Sequence, residues 1–125
     1  MSAPTNLYKI LDAPPPSPLP ETLPTTPLDA KDGFIHLSLA EQTPITAKRH
    51  FSAYEALWIL KLRPAALDGE VKYDTDTNAG VPKGCAHVHG SQKGLGKDNV
   101  VEVIEVKKAA GTEWTNVDEL HKLEA

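Results

Sequence analysis

The sequence predicts an α+β fold built on a mainly antiparallel sheet. Three observations carry that prediction. Short apolar runs of strand type outnumber the helical stretches, and the first helical stretch falls between two strands. No regular strand–helix–strand rhythm runs through the 125 residues, as a doubly wound parallel sheet would require. The length suits a single domain over residues 1–125, large enough to fold without disulfide or metal.

Taken in order, Leu7 to Leu11 reads as the first strand. Seven prolines then fall between Pro14 and Pro27. Each fixes its own φ and removes an amide donor, so this stretch is expected to be an extended surface loop. The turn at Lys31-Asp32-Gly33 leads into a short buried strand from Phe34 to Leu37. A helix is expected from about Glu41 to Phe51, opened by the capping-box spacing of Ser38 and Glu41 or by Thr43 with Pro44. Ala56 to Arg63 is the clearest strand, and its first half is apolar at every position, the pattern of burial on both faces. Pro64 ends it, and Asp68-Gly69 turns the chain into a strand at Val71 to Tyr73. Thr75 to Gly84 reads as a loop, Ala86 to His89 as a strand, and Gly90 to Asn99 as a mobile glycine-bearing loop. Val100 to Val106 is a second strong strand, and Thr115 or Asn116 is expected to cap a final short helix carrying Val117, Leu120 and Leu123.

Composition removes several classes of function. The formal net charge is -4, with no cluster of lysine and arginine, so the chain lacks the basic face that holds a DNA or RNA backbone. A small anionic ligand stays compatible, because a few amides and one cation hold a phosphate. The single cysteine, Cys85, excludes an intrachain disulfide and points to a reducing compartment. The opening Met1-Ser2-Ala3-Pro4 lacks a signal-peptide pattern, and no apolar stretch approaches membrane-spanning length. A cytoplasmic location without a membrane partner is expected.

Three histidines, His36, His87 and His89, fall in or beside short apolar strands. A strand histidine needs partners for its ring nitrogens, so it is either a structural hydrogen-bonder or part of a cleft. Small residues and glycines beside these histidines favour a site. His36 and Ser38 are two apart and share a strand face, as do His87 and His89. Three chemistries fit that geometry. Zinc wants three protein ligands and a water, but no acidic residue completes a recognisable spacing, so no metal is expected. Two histidines can act as acid and base on a cyclic phosphodiester, although the second motif here is His-Val-His rather than a second His-x-Ser. Alternatively, His36 and Ser38 hydrogen-bond the ribose of a nucleotide. Asp74 ends its strand either as a cleft carboxylate or as a turn residue. Cys85 reads as an inert small side chain, without a cation or helix N-terminus to activate it.

The run Asp32-Gly33-Phe34-Ile35-His36-Leu37-Ser38, followed by Gln42, resembles almost letter for letter the signature of the family called domain of unknown function 952. Tyr8-Lys9-Ile10 is similar to that family's first strand, and Val71-Lys72-Tyr73-Asp74 to a strand ending in an acidic residue, usually glutamate. Cys85-Ala86-His87-Val88-His89-Gly90 is similar to a segment that typically reads Phe-Pro-His-Leu-Tyr-Gly. Asp74 is thus one methylene short of the usual acid, and His89 replaces a tyrosine. The resemblance implies a fold like the ADP-ribosyltransferases: a split, mainly antiparallel sheet with two or three short helices around a central cleft that holds NAD. By that likeness His36 holds the nicotinamide ribose, and Asp74 stands near the reacting sugar. His87 binds phosphate or assists proton transfer, while Tyr8, Phe34, Ser38, Gln42 and His89 contact the ligand. The expected activity is ADP-ribosyl transfer from NAD, or a related nucleotide phosphate transfer. Two alternatives stand beside it. One is a non-catalytic nucleotide-binding module, which the tyrosine-to-histidine change at His89 suits. The other is a phosphodiesterase, which needs His36 and His87 to face each other across a phosphate-sized gap.

Overall fold

The computed structural model describes residues 5–74 and 85–125, with the backbone alone at residues 73, 74 and 85. The strands pair into two antiparallel sheets of three. β1 (Leu7–Leu11), β3 (Ala56–Leu62) and β6 (Val100–Lys107) lie in the order β1-β3-β6. β2 (Ile35–Leu37), β4 (Glu70–Asp74) and β5 (Cys85–His89) lie in the order β2-β5-β4. Between them runs one isolated bridge, in which Tyr8 N donates to Ser38 O at 2.9 Å and Ser38 N to Tyr8 O at 2.8 Å. The expected α+β class with antiparallel pairing is what the chain adopts, and the strand boundaries fall within a residue of the expected ones.

The apolar run in β3 follows from its position. Alternation sends Leu57 and Ile59 to one face and Leu60 and Leu62 to the other. Leu60 and Leu62 join Leu7, Leu37, Ala86 and Val88 in a core between the sheets. Leu57 and Ile59 pack with Tyr8, Ile10 and Val106 against Ala47, Trp114, Val117 and Leu120 on the far side.

Three segments depart from expectation. Within the stretch expected to be extended loop and turn, residues Pro27–Asp32 form a helix, α1. Thr26 Oγ1 accepts from Asp29 N at 3.3 Å, Pro27 occupies the first turn, and Gly33 ends the helix at φ 80°, a conformation glycine adopts without strain. The next helix, α2 (Thr43–His50), is preceded by a 3-10 turn at Ala40–Gln42. Its start uses Thr43 Oγ1 to Leu39 O at 2.9 Å and Leu39 N to Gln42 Oε1 at 3.1 Å, in place of the Ser38–Glu41 capping box. The expected C-terminal helix is two 3-10 turns, Trp114–Asn116 and Asp118–His121. Such short segments do not recover the cost of α-helix nucleation, yet Val117 and Leu120 are buried as their spacing predicts.

The glycine-bearing loop after β5 is pinned. Asp68 accepts from Ser91 Oγ at 2.5 Å and from the amides of Gln92 and Lys93, each at 2.9 Å. The Ser91 hydroxyl and these amides hold the exposed Asp68 carboxyl down at about 2. The loop in turn grips the proline-rich stretch, through Leu23 N to Leu95 O at 2.6 Å and Lys97 N to Pro20 O at 3.0 Å. A Cβ built on Gly96 would sit 2.0 Å from Glu21 O. Gly96→Ala is therefore expected to lower stability by about 2 kcal/mol, measured by urea unfolding, because backbone rather than a pliable side chain stands in the way.

Candidate functional site

The site begins with a lysine on the wrong kind of face. Lys9 shares a strand face with Leu7 and Leu11 on β1, so it points toward the interior between the sheets, where it is 6 % exposed. A buried ammonium must be paired and hydrogen-bonded. Its Nζ donates to Asp29 Oδ2 at 2.6 Å and to the His36 carbonyl at 3.0 Å. Asp29 is buried in the first turn of α1. Its Oδ1 accepts from the His36 amide at 3.0 Å and meets His36 Nδ1 at 2.7 Å. The second ring nitrogen, Nε2, meets Asp32 Oδ2 at 2.9 Å. Both ring contacts are hydrogen bonds only when the imidazole carries both protons.

The charges respond unequally. Burial alone would raise the Asp29 carboxyl, but the His36 ring, the Lys9 ammonium and the His36 amide together hold it at about 2. Lys9 is pulled below its ordinary value, because burial outweighs the attraction of its one carboxylate. Both shifts are downward, which favours the charged form of Asp29 and disfavours that of Lys9, because Asp29 has donors from two residues and Lys9 has a single anion.

His36 pairs across the sheet with His87. The Phe34 ring packs at 4.8 Å from His36, 4.7 Å from His87 and 4.8 Å from His89, centroid to centroid, and His36 meets His87 edge-on at 5.1 Å. Two cavities flank the ion network. The larger, about 510 Å³, lies under the proline-rich stretch and is lined by Lys9, Asp29, Phe34, Leu60, Val88 and Leu95 among others. The smaller, about 410 Å³, collects the chemistry-bearing groups: Tyr8, His36, Ser38, Thr46, Arg49, His50, Phe51, Tyr54 and His87. We take the smaller as the candidate cleft, because it gathers His36, His87 and Arg49 with the hydroxyls of Ser38 and Thr46.

Of the residues expected from sequence, His36, Ser38, His87 and Tyr8 line this cleft. Ser38 Oγ lies 3.3 Å from Thr46 Oγ1. Tyr8 is a core residue whose hydroxyl donates to Glu124 O at 2.5 Å, and burial raises its phenol. Phe34 and His89 join the aromatic cluster beside the cleft. Gln42 is buried and caps the chain at Leu39. The Asp74 side chain lies outside the described residues. Lys9, Asp29 and Asp32 were not predicted. The signal for Asp29 was present as a cap: Thr26, Pro27, an acid two residues on, and Gly33 past the end.

The sign of the Asp29 shift fixes an acid prediction. A carboxyl held below its unfolded value contributes stability that is complete above 3.8 and is lost as pH falls toward about 2. Asp29→Asn is expected to cost on the order of 3 kcal/mol near neutrality, since Lys9 is left buried without an anion. It should also give a shallower acid limb over that interval than wild type, measured by urea unfolding at stepped pH.

Residues 19–103 match the model of a family described as protein of unknown function (DUF952). No curated protein matches the chain. Protein CC0527 of Caulobacter crescentus, solved by X-ray crystallography, is similar at 24% identity with a TM-score of 0.64, covering 93% of this chain and 98% of its own. A double methionine variant of that protein is similar at 23% identity and a TM-score of 0.63, with the same coverage. These two likenesses establish a shared fold. With that model spanning the two helices, the motif around His36, the second sheet, β3 and the first half of β6, the chain belongs to the DUF952 family.

Proposed function

We propose that the smaller cleft binds a nucleotide, with NAD or a related dinucleotide as the ligand class, and that His36 is its polar anchor. The supporting observation is the meeting, in one cleft of about 410 Å³, of an imidazole held by Asp29 with the Arg49 guanidinium, the His50 ring and the rings of Phe51 and Tyr54. The volume lies in the usual range for small-molecule sites. Aromatic faces suit a base or nicotinamide, Arg49 suits phosphates, and the Ser38 and Thr46 hydroxyls suit ribose.

The chemistry in this reading is glycosyl or phosphate transfer on that ligand. A carboxylate behind an imidazole fixes the ring's orientation and supports it as an acid or base, the logic of His–Asp pairs in general. The likeness to ADP-ribosyltransferases rests on the split antiparallel sheets and on a histidine of the second sheet beside the cleft. A phosphodiesterase acting between His36 and His87 is less well supported, because edge-on contact at 5.1 Å leaves no gap for a phosphate between the rings.

The test is calorimetry with NAD, joined to an assay for nicotinamide release. His36→Ala should weaken NAD binding by about tenfold or more, the worth of one hydrogen bond to a charged group. Binding with release supports a transferase. Binding without release reduces the reading to a sensing module, and absence of binding by wild type to both NAD and ADP-ribose overturns it.

A further inference from the structure

Two carboxylates hold the His36 ring, and they differ in permanence. Asp29 is 5 % exposed and gathers Lys9 Nζ, the His36 amide and His36 Nδ1. Asp32 is the last residue of α1, its side chain is 35 % exposed, and the ring is its carboxylate's one partner among the described residues. A buried carboxylate with several donors is costly to dislodge. An exposed ion pair is weak. The Asp29 contact is therefore fixed, and the Asp32 contact is open to exchange by rotation of one side chain.

The position of Asp32 Oδ2, 2.9 Å from Nε2, marks where an oxygen acceptor fits against the ring. The group that occupies this position is itself a carboxylate oxygen, so an anionic oxygen of the ligand reproduces the contact in both distance and charge, and a neutral hydroxyl reproduces only the distance. We infer that an anionic oxygen of the ligand, a phosphate oxygen in a nucleotide, replaces Asp32 on His36 Nε2, and that Asp32 is a built-in competitor setting the affinity of the cleft for anions. This rests on the nucleotide reading and deepens it: the group that meets His36 is the phosphate rather than the ribose. Arg49 and His50 line the same cleft and suit the remaining phosphate charge.

The experiment titrates wild type, Asp32→Ala and Asp32→Asn with ADP-ribose and with adenosine by calorimetry, and repeats the set with His36→Gln added. Asp32→Asn keeps the side-chain size, so it covers the case in which Asp32→Ala frays α1. Removing the competitor is expected to tighten ADP-ribose binding by about fivefold, the upper worth of an exposed ion pair. Adenosine, with ribose and no phosphate, should bind all three proteins alike, and His36→Gln should abolish the gain. ADP-ribose affinity that is unchanged or weaker in both Asp32 variants overturns the inference. So does an equal gain for adenosine, or a gain that survives His36→Gln. Inorganic phosphate, followed through the NMR signals of the His36 ring, separates this inference from the nucleotide reading. If no protein of the set binds a nucleotide, a stronger phosphate response in the Asp32 variants retains the exchange and discards the nucleotide. An equal response in variant and wild type discards the exchange.

Discussion

The buried ion pair between Lys9 and Asp29 is the interaction on which the arrangement of this protein depends. Outside the shared apolar core, the backbones of the two sheets meet, among the described residues, through a single bridge at Tyr8 and Ser38. Lys9 adds a second tie: it stands on β1, binds Asp29 on α1 and donates to the carbonyl of His36 on β2. One ammonium thus fixes a strand of the first sheet, the helix that precedes the second sheet, and the second sheet's edge. Such a pair is poor evidence of net stability, since desolvating two charges is expensive. Its effect is on which arrangement is permitted, because any other docking of α1 leaves a buried charge without a partner.

The same network carries the step from fold to chemistry. Asp29 uses one oxygen for Lys9 and the other for the amide and ring of His36, so the imidazole is oriented by the group that also holds the sheets together. Lys9 lines both cavities, Asp29 faces the larger and His36 the smaller. The network is in effect the wall between them. It leaves the cleft side with an oriented ring, the Ser38 and Thr46 hydroxyls, the Arg49 guanidinium and the aromatic side chains of Phe51 and Tyr54.

The strands were legible because their signal is local. The apolar run in β3 follows from burial on both faces, and the His36–Ser38 spacing follows from the pleat. The helix α1 was obscured by the prolines around it, which argue for extended chain everywhere except at a helix's first turn, where Pro27 sits. With that helix hidden, nothing in the sequence sets Asp29 apart as a partner for Lys9, and Asp32 reads only as part of the turn before Phe34. The pairing of Lys9 with Asp29 spans a sequence separation of 20 residues, and no spacing rule within one element announces it. The ties of the Gly90–Asn99 loop are hidden for the same reason, since their anchor, Asp68, lies on another segment.

Whether Lys9 and Asp29 act as one unit is read from a double-mutant cycle on unfolding free energy with Lys9→Met and Asp29→Asn. Each single change leaves a buried polar group stranded, while the double change removes both charges together. The double variant is expected to be less destabilised than the sum of the singles by about 2 kcal/mol or more. Additivity to within about 0.5 kcal/mol, the behaviour of sites that do not interact, would contradict it.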